Sequence, residues 1–306
     1  MTSRKTVLIT GCSDGGLGSA LAIVLQQRGL HVFATARDPS TKMSDLSGLP
    51  NVTTLTLDVV KPTDIEAAVE LVTKQTGGAL DYLINNAGRN HFMPILDEDL
   101  NAVRNLFEIN FYGPLALTQA FAPLLIKAKG MAVYITSIAG YCNVPFMGTY
   151  SASKRSLEIV AETLRLELAP FGVDVLEIVT GAVKSRGQTY FGDFRLPELS
   201  LYKSIEDTIA SRAQGKDGVP RMETTQYATG VADKILHPGR TTGRFWYGSN
   251  AENTRMGTTV SGVPPSILER MKTFLAMVFF FVSGPGYATR LMDGGMSSGC
   301  GLDKLK

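Results

Sequence analysis

Short apolar runs rich in β-branched residues alternate with helical stretches through most of the 306 residues. That alternation predicts an α/β fold: one doubly wound parallel sheet of about seven strands with helices on both faces. The first run opens directly into a glycine cluster and then a helix, the order found where a strand and a helix cradle a phosphate. A hydrophobic content of 44% with 19% charged residues fits a globular chain without a disorder signature, and the length fits a single large domain over residues 1–306. Two segments stand apart from the alternation, an insert over 186–222 and an apolar extension over 264–306.

The first strand is Val7–Thr10, and its four residues end on Gly11. Gly11 allows a tight turn, Gly16 allows backbone to approach a phosphate, and Gly18 lets helix and strand pack closely. The helix that follows, over 19–27, points free N–H groups at the turn. The second strand, His31–Ala34, runs on through Thr35 to Ala36 and Arg37. A carboxylate near this point would take the ribose hydroxyls of NAD. Ala36 carries none and the Arg37 guanidinium follows it, a combination that favours a 2′-phosphate and hence NADP(H).

The third strand, Val52–Leu57, alternates and ends at Asp58; the fourth is Tyr82–Asn85; the fifth, Ala132–Thr136, ends at Ser137; the sixth is Asp174–Ile178. Arg244–Tyr247 is a candidate seventh. A helix over Ser151–Leu168 stops before Pro170 and Gly172, as stop signals require. At its start Tyr150 and Lys154 lie four residues apart, with Ser137 thirteen residues upstream. Positions i and i+4 share a helix face. A phenol loses its proton near pH ~10, and a neighbouring cation draws that value down, so the pair makes an acid/base device aimed at an oxygen. A lone Tyr-x-x-x-Lys is more often ordinary helix surface; here it keeps company.

Over roughly residues 5 to 250 the chain resembles the short-chain dehydrogenase/reductase family, whose motifs stand here in family order. Thr10, Gly11 and Ser13 through Gly16, Leu17 and Gly18 resemble the family's cofactor turn. Asp58 resembles the residue that contacts adenine. Asn85, Asn86, Ala87 and Gly88 resemble the motif that steadies the central sheet, and Asn110, Ser137, Tyr150 and Lys154 match the catalytic set. The resemblance implies a single-domain Rossmann fold binding NADP(H). It implies that Ser137 and Tyr150 hold a carbonyl oxygen and that the reduced cofactor delivers hydride. Tyr150 would then protonate the alkoxide, Lys154 lower the Tyr150 pKa and hold the nicotinamide ribose, and Asn110 hold a relay water. Two departures stand out. The glycine turn has one extra residue, so either Gly15 or Gly16 makes the close phosphate approach. Thr180-Gly181 stands where the family usually has Pro-Gly, although Val183 and Ser185 still match positions near the nicotinamide amide and the pyrophosphate.

A net charge of +2 gives no reason to expect nucleic acid. Cys12, Cys142 and Cys300 show neither a pairable pattern nor metal spacing, which suits a reducing, cytoplasmic setting. Cys142 is expected on a loop edging the pocket as an idle thiol. His31, His91 and His237 are scattered, so no metal site is expected, and His91 is expected to have no role. The apolar start is a strand rather than a signal peptide. In the insert, Tyr190, Phe191, Phe194, Leu196, Leu199, Leu201 and Tyr202 suggest a lid. These residues either contact an apolar substrate or pack the lid onto the domain.

The tail carries nine consecutive apolar residues over 274–282, flanked by Arg270, Lys272 and Arg290. A bilayer span needs about 20. Residues 264–292 therefore touch a membrane or lipid-droplet surface, cover the pocket, or meet a partner subunit. In the family the helices beside the Ser151–Leu168 element often form a dimer face. Within the family, the turn, Arg37 and the tail resemble fungal NADPH-dependent 1-acyl-dihydroxyacetone-phosphate reductases and their relatives in lipid and secondary metabolism. The expected activity is NADPH-dependent reduction of a ketone on a bulky apolar substrate: lipid-like, steroid-like or polyketide-like. The expected location is cytoplasmic, peripheral to endoplasmic reticulum or lipid droplets. The alternatives are a non-redox step such as dehydration or cyclisation, and an idle NADP-binding sensor.

Overall fold

The structure, a computed structural model, describes residues 4–239 and 242–259. Seven strands, β1 (Thr6–Ile9), β2 (His31–Ala36), β3 (Val52–Thr56), β4 (Tyr82–Asn85), β5 (Met131–Ser137), β6 (Asp174–Thr180) and β7 (Gly243–Tyr247), form one sheet in the order 3-2-1-4-5-6-7. Every pairing is parallel. The order reverses between β1 and β4, and the crevice at the carboxyl ends of those strands is where open α/β sheets bind ligands.

Successive side chains of a strand face opposite sides, so a strand covered on both faces is apolar throughout. Val7 and Ile9 pack on one face with Leu21 and Leu25 of α1 (Leu17–Gln27) and Val231 and Ile235 of the helix Thr224–Ile235. Leu8 points to the other face, among Ile65 of the helix Pro62–Thr76, Phe121 of the helix Gly113–Ala128 and Leu157 of the helix Gly148–Leu168. With the short helix Pro39–Lys42 as α2, these are α3 (Pro62–Thr76), α4 (Leu100–Phe107), α5 (Gly113–Ala128), α6 (Gly148–Leu168), α7 (Glu206–Ala213), α8 (Thr224–Ile235) and α9 (Ala251–Thr259). Each fully buried Leu or Phe contributes about 1.5–3 kcal/mol.

Differences from expectation lie at element ends. β5 and β6 extend to Ser137 and Thr180, which pair with each other, so Ser137 sits on the carboxyl rim of the sheet. α6 starts at Gly148 rather than Ser151, because the Ser151 N–H already bonds the Met147 carbonyl at 2.8 Å. Tyr150 therefore lies in the first helical turn.

The insert is less of a loop than expected. It holds two 3₁₀ turns and α7, with its own small core of Phe194, Leu196, Ile205 and Ile209 against Phe92. Leu199 and Leu201, by contrast, are 94% and 81% exposed, so its apolar residues divide between packing and surface. The apolar tail over 264–306 and Cys300 lie outside the described residues.

Candidate active site

A cavity of about 600 Å³ opens at the carboxyl ends of β1, β4, β5 and β6. The glycine turn contributes Gly11, Ser13, Gly16 and Leu17; the end of β2 contributes Ala36 and Arg37; Asp58 follows β3. Asn86, Ala87 and Gly88 come from the end of β4, Ser137 from β5, Tyr150 and Lys154 from α6, and Val183 and Ser185 from the segment after β6. Gly16 lines the cavity as the residue before α1, whereas Gly15 faces outward with the Arg186 side chain 3.2 Å from the place of a Cβ. Gly18 and Asn110 lie behind the cavity wall.

The wall is tightly built. A Cβ on Gly18 would come within 2.4 Å of the Gly11 carbonyl and 2.5 Å of Asn86 Nδ2. Asn86 Nδ2 donates to the Thr10 and Gly11 carbonyls at 2.7 and 3.2 Å, and the N–H groups of Asn86 and Ala87 donate to Thr10 Oγ1 at 3.0 and 2.9 Å. These bonds lock the end of β4 onto the turn. The result fits a dinucleotide: a concave glycine-containing backbone, the free N–H groups of α1, and a guanidinium at the rim. Asp38, one residue beyond Arg37, is tied by the Ser40 and Thr41 hydroxyls at 2.6 and 2.5 Å, which hold its carboxyl below the ordinary range.

Asn110 is fully buried in a π turn, Glu108–Tyr112, that joins α4 to α5. Such one-turn irregularities recur at functional sites. Its side chain bonds both the N–H and the carbonyl of Arg89 at 2.8 and 3.0 Å and donates to Ser153 Oγ at 3.1 Å. The amide therefore ties the segment following β4 to the start of α6. Gly88 sits close against the pair: a Cβ there would lie 3.3 Å from Lys154 Nζ and 3.4 Å from Asn110 Oδ1.

Ser137 Oγ accepts from the Ala139 N–H at 3.1 Å, and its hydroxyl interacts with that of Tyr150. Lys154 is buried, and its Nζ donates to the Ile135 carbonyl at 2.9 Å. Burial draws the Lys154 ammonium down to about 8, against the attraction of Glu158. At Tyr150 the direction differs from that expected of a cationic neighbour alone. Burial pushes the phenol above its ordinary value, outweighing the Ser137 hydrogen bond, and the Glu158 charge adds to the rise. The phenol is thereby held in its protonated form.

Arg186, Glu98 and Phe92 join the site unexpected, whereas Cys142 lines the cavity as its loop position predicts. Arg186 reaches back to the Asp14 carbonyl at 3.0 Å and latches the insert to the glycine turn across 172 positions. Glu98 bonds His91 Nε2 at 2.7 Å and accepts from Thr149, next to Tyr150, at 2.5 Å, so His91 has a structural partner. Cys142 lines the cavity, half-buried, its sulfur 3.8 Å from Thr254 Oγ1; burial pushes its thiol up. Phe92 joins the cavity lining from the loop after β4.

The family model for short chain dehydrogenases matches residues 5–194. A short-chain dehydrogenase of Penicillium crustosum is 50% identical over 234 residues, 76% of this chain and 85% of that protein. An NADPH-dependent 1-acyldihydroxyacetone phosphate reductase of Schizosaccharomyces pombe is 37% identical over 252 residues, 81% and 82% of the two chains. Among solved structures, a short-chain dehydrogenase of Streptomyces avermitilis superposes with a TM-score of 0.73 at 26% identity, covering 97% of this chain and all of that one.

Proposed function

The chain belongs to the short-chain dehydrogenase family, and from that membership we propose that it reduces a ketone of a bulky, mainly apolar substrate with NADPH, Tyr150 supplying the proton. As a member it is an oxidoreductase of CH–OH and C=O groups. NADP(H) is the cofactor in this reading; it is the cofactor named for the S. pombe relative, and Arg37 at the cavity rim suits its 2′-phosphate. The observation that carries the proposal is the meeting of the Ser137 and Tyr150 hydroxyls, with Lys154 one turn on, in a cavity whose other half is the glycine turn.

When bound, the reduced cofactor supplies hydride to the carbonyl carbon. Ser137 and Tyr150 hold the carbonyl oxygen and stabilise the charge that grows on it, being fixed before reaction. Tyr150 passes its proton to that oxygen. Lys154 steadies the phenolate left behind and, through the Ile135 carbonyl, keeps its ammonium in place. Asn110 holds Arg89 and Ser153, and so the spacing between the β4 end and α6.

The substrate half of the cavity has Phe92, Val144, Met147 and Tyr190 on its walls, which supports an apolar substrate body. The insert is the proposed lid, latched by Arg186. The test is full-length protein with NADPH and a panel of ketones graded in size and polarity, following loss of reduced cofactor and formation of the carbinol. Turnover rising with apolar bulk supports the proposal. Product formed without loss of NADPH would transfer it to a non-redox step, and cofactor binding without product from any ketone would leave a sensor.

A further inference from the structure

α6 carries a third polar residue on the stripe of Tyr150 and Lys154. Glu158 stands one turn beyond Lys154 and is fully buried, at 0% exposure. Its Oε2 accepts from Arg155 Nη1 at 3.1 Å, while its Oε1, also buried, has no hydrogen-bond partner. An unsatisfied buried carboxylate oxygen is costly and calls for a reason. The turn Ile138–Gly140, directly after Ser137, is shaped around this carboxyl. A Cβ on Gly140 would lie 2.3 Å from Glu158 Oε1 and 2.8 Å from Oε2, and the φ of Gly140 lies outside the left-handed region, so steric room is the reason for glycine here.

We propose that Glu158 is a positioning residue of the reaction centre: its carboxyl, seated against Gly140, sets the Ser137 turn and, once ionised on the alkaline side, supplies a buried negative charge that favours the protonated Lys154 ammonium and Tyr150 phenol. The proposal rests on the reductase reading for its kinetic consequence, though not for its electrostatic one. The groups facing Glu158 are few. From its own helix come Lys154 and Arg155; from β6, Glu177; from β7, Arg244; and from the segment after the Ser137 turn, Tyr141, whose buried hydroxyl is likewise unpartnered. Glu177 is held apart by Thr136 Oγ1 at 3.0 Å and Arg244 Nε at 3.1 Å. Arg155 and Arg244 also cover the Tyr141 ring, 4.9 and 5.9 Å from its centroid. Burial first, and the Glu177 charge second, push the Glu158 carboxyl up to about 8, the same region to which burial draws Lys154. Glu158 therefore gains charge as Lys154 tends to lose it. Ionised Glu158 raises both Lys154 and Tyr150, so its effect grows on the alkaline side, where a proton donor would otherwise fail.

The test compares full-length protein with its Glu158→Gln and Glu177→Gln variants. The Lys154 titration is followed by NMR of isotope-labelled lysine Cε, assigned with Lys154→Arg, and needs neither substrate nor turnover. In Glu158→Gln the Lys154 midpoint falls by about one pH unit. In Glu177→Gln, which frees Glu158 from a like charge, it stays or rises. With a ketone that is turned over, the alkaline limb of the kcat profile moves acidward by the same unit in Glu158→Gln. An unmoved Lys154 midpoint in a folded Glu158→Gln protein overturns the proposal. If that variant does not fold, a Glu177→Gln midpoint that falls overturns it instead. Absence of ketone turnover in the parent would count against the reductase reading alone and leave the NMR result to decide on Glu158.

Discussion

In the proposed reaction Arg37 and Tyr150 hold the two ends of the chemistry, one at the adenosine side of the cavity and one at the carbonyl oxygen. A guanidinium bonding a phosphate is among the stronger polar contacts. Replacing Arg37 by Asp sets a carboxylate against the 2′-phosphate and gives NADH an acid for its ribose. The NADPH-to-NADH preference, measured as the ratio of kcat/KM, is expected to fall by about 10- to 100-fold. An unchanged ratio would show that the 2′-phosphate lies elsewhere. At this scale the meeting of Tyr150 and Lys154 could be read from spacing, because helical periodicity turns a separation of four into proximity, whereas Ser137 and Asn110 entered only through the family resemblance. The electrostatics could not be read from spacing. The rise at Tyr150 comes from burial among residues far apart in sequence, and Glu158 looks like any helical glutamate until Gly140 is found against it.

The glycine turn, β1 and α1 form one unit whose geometry depends on an absent side chain. Gly18→Ala places a methyl group within 2.5 Å of two polar atoms, one of them backbone, so either α1 or the β4 end must move. NADPH affinity is expected to drop by about tenfold or more, with a lower melting temperature, in a fluorescence titration paired with thermal denaturation. Unaltered binding would mean that the wall yields freely. The seven strands were legible because each is a short apolar run between turn residues, and so was their doubly wound parallel arrangement, whereas the order 3-2-1-4-5-6-7 is seen only in the structure. The insert was less legible. Its polar and aromatic residues carry no period, and only tertiary packing shows that Phe194 and Leu196 are buried while Leu199 and Leu201 face outward. The Arg186 latch, joining residues 172 apart, has no local signature at all.

For the whole molecule, buried acids and a buried base link stability to pH. The native Glu158 keeps its proton up to about 8, whereas an unfolded glutamate releases it near 4.5. Its contribution is full below the lower value and is lost as pH rises through the upper one. Lys154 acts with the opposite sign: its native value of about 8 lies below the ordinary 10.5, so stability returns as pH rises between the two. The summed contribution is lowest near pH 8, and the melting temperature of Glu158→Gln, followed across the same window, should fall less steeply than that of the parent. Parallel curves would contradict that linkage. Removing residues 264–306 is expected to change vesicle partitioning or substrate range more than NADPH affinity; failure of the shortened protein to fold would make the tail part of the core. What decides the reaction is one comparison: ketone-dependent oxidation of NADPH by the parent and by Tyr150→Phe, each saturated with cofactor. Loss of turnover by about 10²–10⁴-fold with NADPH affinity intact is the predicted result, and a phenylalanine variant that turns over at the parental rate would contradict it.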